Sequence, residues 1–209
     1  MIKLMIADDH AIVRSGLKQI FALAPDIEVA AEATNGGGVL DQLRLEAFDI
    51  VLLDMTMPGV SGVDLISRVR AHHPSLPILI LSMHNEPQVA ARALKAGANG
   101  YVTKDSEPEK LLIAIRKVVT GGRFIDPELA EQLAFDSVMP ERRDSHTRLS
   151  DREYEIFRLL AAGKGVNEIA DQLAISNKTV STHKVRLLEK MQLANMAELV
   201  RYAVEHDLQ

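Results

Sequence analysis

Apolar positions along the chain change their pattern near residue 120. Before it, short continuous apolar runs at Ile2–Ala7, Ile27–Ala33, Ile50–Leu53, Ile78–Leu81 and Gly100–Val102 alternate with longer stretches near 11–23, 38–46, 62–72, 86–96 and 107–119. In the longer stretches apolar residues recur every three or four positions, as in Leu111, Leu112, Ile115, Val118 and Val119. A short solid run reads as a strand buried on both faces, and the wider spacing as a helix with one apolar stripe. Five strands, each followed by a helix, predict an α/β unit over 1–120: a doubly wound five-stranded parallel sheet with right-handed crossovers. Ser61 is placed to cap the third helix, and Ser106 with Glu109 forms a capping-box pattern at the fifth.

After residue 120 the strand pattern disappears. Gly121-Gly122 ends the fifth helix, and Asp126-Pro127 starts a short one running to about Phe135. SVMPERRDSHTR follows, polar and without periodicity, so 121–147 reads as a linker carrying a short helix. From 148 to 209 four helices fit, at about 151–162, 166–173, 177–190 and 196–206, which predicts a small all-α second domain.

Composition narrows the function. Cys is absent, which excludes disulfides and thiolate metal sites. No apolar run reaches the roughly 20 residues of a bilayer span, and MIKLMIADDH does not resemble a secretory signal. The expected location is the cytoplasm, with no membrane partner. The net charge of −5 is uneven: 12 Lys/Arg against 14 Asp/Glu in 1–120, 3 against 6 in 121–147, and 9 against 9 in 148–209. A nucleic-acid-binding face in the last segment therefore has to come from local placement of its cations.

In a doubly wound sheet ligands sit beyond the carboxyl ends of the strands. Asp8-Asp9, Asp54, Ser82 and Thr103-Lys104 end the first, third, fourth and fifth strands. Three carboxylates, a hydroxyl and an ammonium thus converge on one rim. Clustered carboxylates favour a hard divalent cation such as Mg²⁺. Asp54 can then act as a carboxylate nucleophile toward a phosphoryl group, with the metal and Lys104 neutralising the transferring charge. Gly36-Gly37-Gly38 lacks the Lys-Ser/Thr of a nucleotide loop and reads as the entry to the second helix. The phosphoryl donor is accordingly another molecule. The histidines, His10 among them, show no metal-ligand spacing.

ADDH, LLDMTMPGVSG, LILS and GYVTK together resemble the receiver domain of response regulators, across essentially all of 1–120. The resemblance implies a flavodoxin-like fold with Asp54 as phosphoacceptor. It implies Mg²⁺ on Asp9, Asp54 and the carbonyl of Thr56, with Asp8 helping through water. Ser82 and Lys104 would hold the phosphoryl oxygens, and Tyr101 would be the switch aromatic. Asp105 stands where many receivers have Pro, and Ser61 where an acid is frequent.

In the last segment IADQLAISNKTVSTHK reads as two helices joined by a tight turn. Ile169, Ala170 and Leu173 face inward, Val180 anchors the second helix, and either Ser176 or Asn177 caps it. Lys178, Ser181, Thr182, His183, Lys184 and Arg186 are its expected exposed positions. Residues 177–190 carry Lys178, Lys184, Arg186 and Lys190 against Glu189, or +3. Such a helix fits a major groove, with bases read near its start and cations on phosphates.

LSDRE, AAGKGVNEIADQLAIS and KTVSTH resemble the LuxR-type helix-turn-helix of the NarL/FixJ response regulators. The resemblance implies contact with promoter double-stranded DNA through Lys178, Thr179, Ser181, Thr182, His183, Lys184 and Arg186. It implies a homodimer contact on the last helix through Leu199, Val200 and Ala203, against the plainer reading of that stripe as intradomain core. Ser181 and Val185 replace residues that are often basic. A sensor histidine kinase is the implied donor, with RNA polymerase as a further partner. Phosphorylation would act by dimerisation, by freeing the helix at 177–190, or by both. The protein is then a transcription regulator and not an enzyme. The rivals are a phosphate-independent DNA-binding protein and a phosphatase, the second disfavoured by Thr56 where such enzymes usually carry an acid.

Overall fold

The computed structural model describes all residues except 84–86, 139–144, 174, 207 and 209, and only the backbone of 135–138, 147, 148 and 151. It divides into two units, Met1–Val138 and Met139–Gln209.

The first unit alternates β1 (Ile2–Ala7), α1 (Ala11–Ala22), β2 (Ile27–Ala33), α2 (Gly36–Leu45), β3 (Ile50–Leu53), α3 (Gly62–His72), β4 (Ile78–Ser82), α4 (Pro87–Ala96), β5 (Gly100–Thr103) and α5 (Pro108–Val119). All pairings are parallel and, with β6 (Phe124–Ile125) at the edge, the sheet order is β2-β1-β3-β4-β5-β6. Leu4, Ile6, Ile50, Leu52, Leu79, Leu81 and Val102 bury one face against Leu17 and Phe21 of α1 and Leu111, Ile115 and Val118 of α5. The alternate positions Met5, Val51, Leu53, Ile80 and Tyr101 point to the other face and are equally buried. This two-sided burial is why the strands read as solid apolar runs.

The five expected strands are all present, and a short sixth is added at the edge beside β5. β6 (Phe124–Ile125) pairs with Gly100 and Tyr101 of β5, and α6 (Pro127–Val138) follows it. Two residues carry too little periodicity to reveal a strand in the sequence. Residues 121–138 thus belong to the first unit, where the sequence reads linker. Asp126 caps α6, accepting from the backbone N–H of Glu128 at 3.2 Å. Residues 139–144 of the stretch SVMPERRDSHTR lie outside the described residues.

Two predicted caps differ. Ser61 sits at the N-cap of α3 without a side-chain cap bond. α5 starts with Glu107 at the cap and Pro108 behind it, and Ser106 Oγ pairs with Thr103 Oγ1 at 2.9 Å. Pro108, with its fixed φ and no N–H, sets the helix start at itself. The triple glycine answers a steric demand, since a Cβ on Gly36 would lie 1.8 Å from the carbonyl oxygen of Val60.

The second unit begins with a 3₁₀ turn (Ser145–Arg148), followed by α7 (Asp151–Ala161), α8 (Val166–Gln172), α9 (Asn177–Met191) and α10 (Met196–Glu205). Ser150 and Glu153 form a capping box on α7. Ser176, not Asn177, caps α9 by accepting from the backbone N–H of Thr179 at 3.1 Å. Ile156, Phe157, Ile169, Val180, Leu187, Leu199 and Ala203 are buried. No helix among the described residues is long and apolar enough to cross a membrane.

An acidic pocket and a basic helix as candidate functional sites

The pocket lies where β1, β3, β4 and β5 end. Parallel pairing keeps those ends level: Asp54 N–H donates to Ala7 O at 2.8 Å, and Lys104 N–H to Ser82 O at 2.8 Å. Lys104 Nζ then lies 3.0 Å from Asp54 Oδ2 and 2.7 Å from Asp8 Oδ2. Asp8, Asp54 and Ser82 are buried, and the Lys104 side chain is 7% exposed. Thr56 N–H reaches Asp54 Oδ1 at 3.3 Å, which brings the Thr56 backbone to the same carboxylate. Tyr101 is fully buried, on the strand that ends at Thr103 and Lys104.

Burial dominates the electrostatics of Asp54. It pushes the carboxyl up to about 6, against the opposing pull of the nearby ammonium of Lys104, while the charge of Asp8 adds to the rise. Burial alone would lower the Lys104 ammonium, but the adjoining carboxylates of Asp8 and Asp54 outweigh this and hold it above its usual range. One cation therefore serves two carboxylates, and the pocket retains an excess of negative charge.

That excess suits a metal ion. Asp8, Asp9, His10 and Asp54 each offer one donor atom, all within 4.8 Å of one another. Asp8 Oδ2 and Asp9 Oδ1 are shielded from solvent but accept no well-aligned hydrogen bond, although Lys104 Nζ and His10 Nδ1 lie 2.7 and 2.9 Å away. His10 is the member that the sequence reading missed. Its adjacency to Asp8-Asp9 at a strand end was the available signal. Arg14 was also missed: its guanidinium donates to the carbonyl of Asp8 at 2.8 Å and to Glu32 at 2.9 Å, bracing the acidic turn from behind.

In the second unit α9 presents Lys178, Thr179, Ser181, Thr182 and Arg186 to solvent. His183 and Lys184, expected to be exposed, are half-buried. His183 is held below the usual imidazole range, chiefly by burial. Glu153 opposes that shift, and the cations Arg152, Arg186 and Lys190 reinforce it. Thr182 Oγ1 donates to the Lys178 carbonyl at 2.9 Å, so its hydroxyl hydrogen is already committed to the helix. Asn177 Nδ2 donates to Asn167 Oδ1 at 2.7 Å and ties α9 to α8.

On α10 the three residues of the expected dimer contact differ in exposure. Leu199 and Ala203 are fully buried within their own unit, because the apolar stripe faces α7. Among the large apolar residues of that helix, Val200 and Val204 remain exposed.

Known proteins share this arrangement. Residues 4–116 match the response regulator receiver domain family, and residues 147–203 match the bacterial regulatory proteins of the luxR family. The response regulator UvrY of Escherichia coli is 35% identical over 209 residues, covering 100% of this chain and 96% of its own. GacA of Pseudomonas aeruginosa is 35% identical, covering 100% and 98%. A structure of RcsB from Salmonella enterica serovar Typhimurium, bound to a promoter in the presence of the phosphomimetic BeF₃⁻, matches with TM-score 0.70 and 29% identity over 96% of this chain and 97% of that one. The chain belongs to the two-component response regulators, among those that act as transcription factors and not as catalytic enzymes. Within them it belongs to the NarL group, a receiver joined to a LuxR-type helix-turn-helix that binds DNA.

Proposed function

We propose that Asp54 is the phosphoacceptor and that its modification controls binding of promoter double-stranded DNA by the second unit. The observation that carries this is Lys104 Nζ held 3.0 Å from Asp54 Oδ2 at the end of the central strand. The donor is a sensor histidine kinase. An Asp54 carboxylate oxygen attacks phosphorus, the bond to the donor imidazole breaks, and that imidazole leaves with its electron pair and takes up a proton. Mg²⁺ is the metal: Asp9, Asp54 and the Thr56 carbonyl would hold it, with Asp8 acting through water. When bound, it neutralises charge on the transferring group. Ser82 and Lys104 bind the phosphoryl oxygens, and Tyr101 follows Ser82 in the switch.

The modification adds roughly −1.5 to −2 charges and three acceptors. Lys104 can answer that charge by leaving Asp8, which moves the end of β5. The segments assigned to these tasks are 1–120 as receiver, 121–147 as connection and 148–209 as DNA-binding domain. In the last, Lys178, Arg186 and Lys184 meet phosphates, while Thr179, Ser181, Thr182 and His183 face base edges. A homodimer places two such helices on paired half-sites. Its contact on α10 runs through Val200, with Val204 beside it. RNA polymerase is the downstream partner, and the cytoplasm is the location.

The test is binding to genomic fragments with and without acetyl phosphate and Mg²⁺, for wild type and Asp54→Asn, alongside intact-mass spectra. The expected result is a single phosphoryl adduct and enhanced binding in the wild type only. Equal responses in both proteins would place the regulatory site elsewhere.

A further inference from the structure

His10 occupies the N-cap of α1, a position that favours Ser, Thr, Asp or Asn. Its side chain caps nothing. The imidazole instead turns into the acidic pocket, with Nδ1 2.9 Å from Asp9 Oδ1 and 3.3 Å from Asp8 Oδ1. The main chain converges there too, since the His10 N–H donates to Asp8 Oδ1 at 2.8 Å. A side chain that forgoes the capping role its position offers, and faces two carboxylates, is the kind of local rule-breaking that marks a functional residue.

Asp9 Oδ1 is buried and accepts no aligned hydrogen bond, even with Nδ1 so near. Two polar atoms at that separation with no aligned hydrogen between them suit a shared cation. Donors at about 2.0–2.2 Å from an ion lie at most about 4.4 Å apart across it. The four donor atoms from Asp8, Asp9, His10 and Asp54 lie within 4.8 Å. The remaining few tenths of an ångström are within the reach of His10, whose side chain is 64% exposed and has room to move.

We propose that His10 is a fourth ligand in this pocket, and that its nitrogen raises the affinity of the Mg²⁺ site for first-row transition ions of the cobalt-to-zinc class relative to Mg²⁺. The proposal rests on reading the pocket as the metal-assisted phosphoacceptor site. Mg²⁺ favours oxygen ligands and keeps several waters, so it gains little from an imidazole. Cobalt, nickel and zinc gain directly from one. His10 thereby sets metal preference without entering phosphoryl transfer itself.

The test uses the full chain with Co²⁺ as probe and Mg²⁺ as competitor, in wild type, His10→Ala and Asp9→Asn. Co²⁺ uptake that survives Asp9→Asn belongs to surface histidines and is subtracted. The ratio of Mg²⁺ to Co²⁺ dissociation constants is expected to fall tenfold or more in His10→Ala. The ring protons of His10 are expected to show paramagnetic shifts in the wild-type NMR spectrum. An unchanged ratio, or unshifted ring protons, would overturn the role of His10 while leaving the Mg²⁺ site intact. If neither ion binds the wild type, the metal reading of the pocket falls with it.

Discussion

Lys104 Nζ bridges Asp54 and Asp8, at 3.0 and 2.7 Å, from the end of a neighbouring strand. One ammonium is thus divided between two buried carboxylates, and burial pushes the third-strand carboxyl up to about 6. A folded-state pKa above the unfolded one means that the group favours folding while protonated. Its contribution is complete below about pH 4 and is lost as pH rises through about 6.

Asp54→Asn removes that penalty. In chelator at pH 7.5 the variant is expected to be more stable than wild type by about 1–3 kcal/mol, at 1.36 kcal/mol per unit. Urea unfolding from pH 4 to 8 checks this. The wild type should lose stability across the interval relative to the variant, and parallel curves would contradict the assignment.

Mg²⁺ should offset the same penalty. At a hundredfold excess over its dissociation constant it adds about 2.7 kcal/mol, read as a rise in the unfolding midpoint that chelator reverses. Asp9→Asn and Asp54→Asn should each abolish most of the rise, because each removes a proposed ligand. A rise that persists in both would put the ion at another site.

On α9 the exposed cations and hydroxyls separate by task. Arg186→Ala and Lys178→Ala are expected to weaken binding about equally for all DNA sequences, each reducing the salt slope by roughly 1. Ser181→Ala should instead alter sequence preference. Replacing Thr182 by Val should relax preference only at a base that donates to its oxygen, since its hydroxyl hydrogen is spent on the Lys178 carbonyl. Titrations at several salt concentrations distinguish these outcomes.

α10 allows a similar separation. Leu199→Ala should destabilise the second unit by about 2–5 kcal/mol, as a buried truncation. Val200→Asp with Val204→Asp should leave its unfolding midpoint nearly unchanged while weakening self-association on DNA. Sedimentation and thermal melts read the two effects independently.

The helices and strands were legible because both faces of the sheet are covered, which leaves solid runs for strands and stripes for helices. Asp8, Asp9, Asp54, Ser82 and Lys104 were legible because strand ends mark one rim. What escaped notice had weaker local signals. β6 has two residues. The start of α5 was decided by Pro108 over Ser106. His10 looks like an ordinary surface histidine until the fold turns it onto its neighbours. Leu199 and Ala203 share a stripe that serves core and interface equally well in one dimension, and only packing against α7 separates the two uses.

β6 also determines where the first unit can be cut. Its pairing covers β5 at Gly100 and Tyr101, where a Cβ on Gly100 would sit 2.7 Å from the Phe124 carbonyl oxygen. A fragment ending at 120 would strip this cover and bare a row of unpaired amides and carbonyls on the strand that leads to Lys104, an invitation to edge-to-edge stacking. One ending at 138 keeps the border sealed. Light scattering of the two fragments should find the shorter one self-associating and the longer one monodisperse.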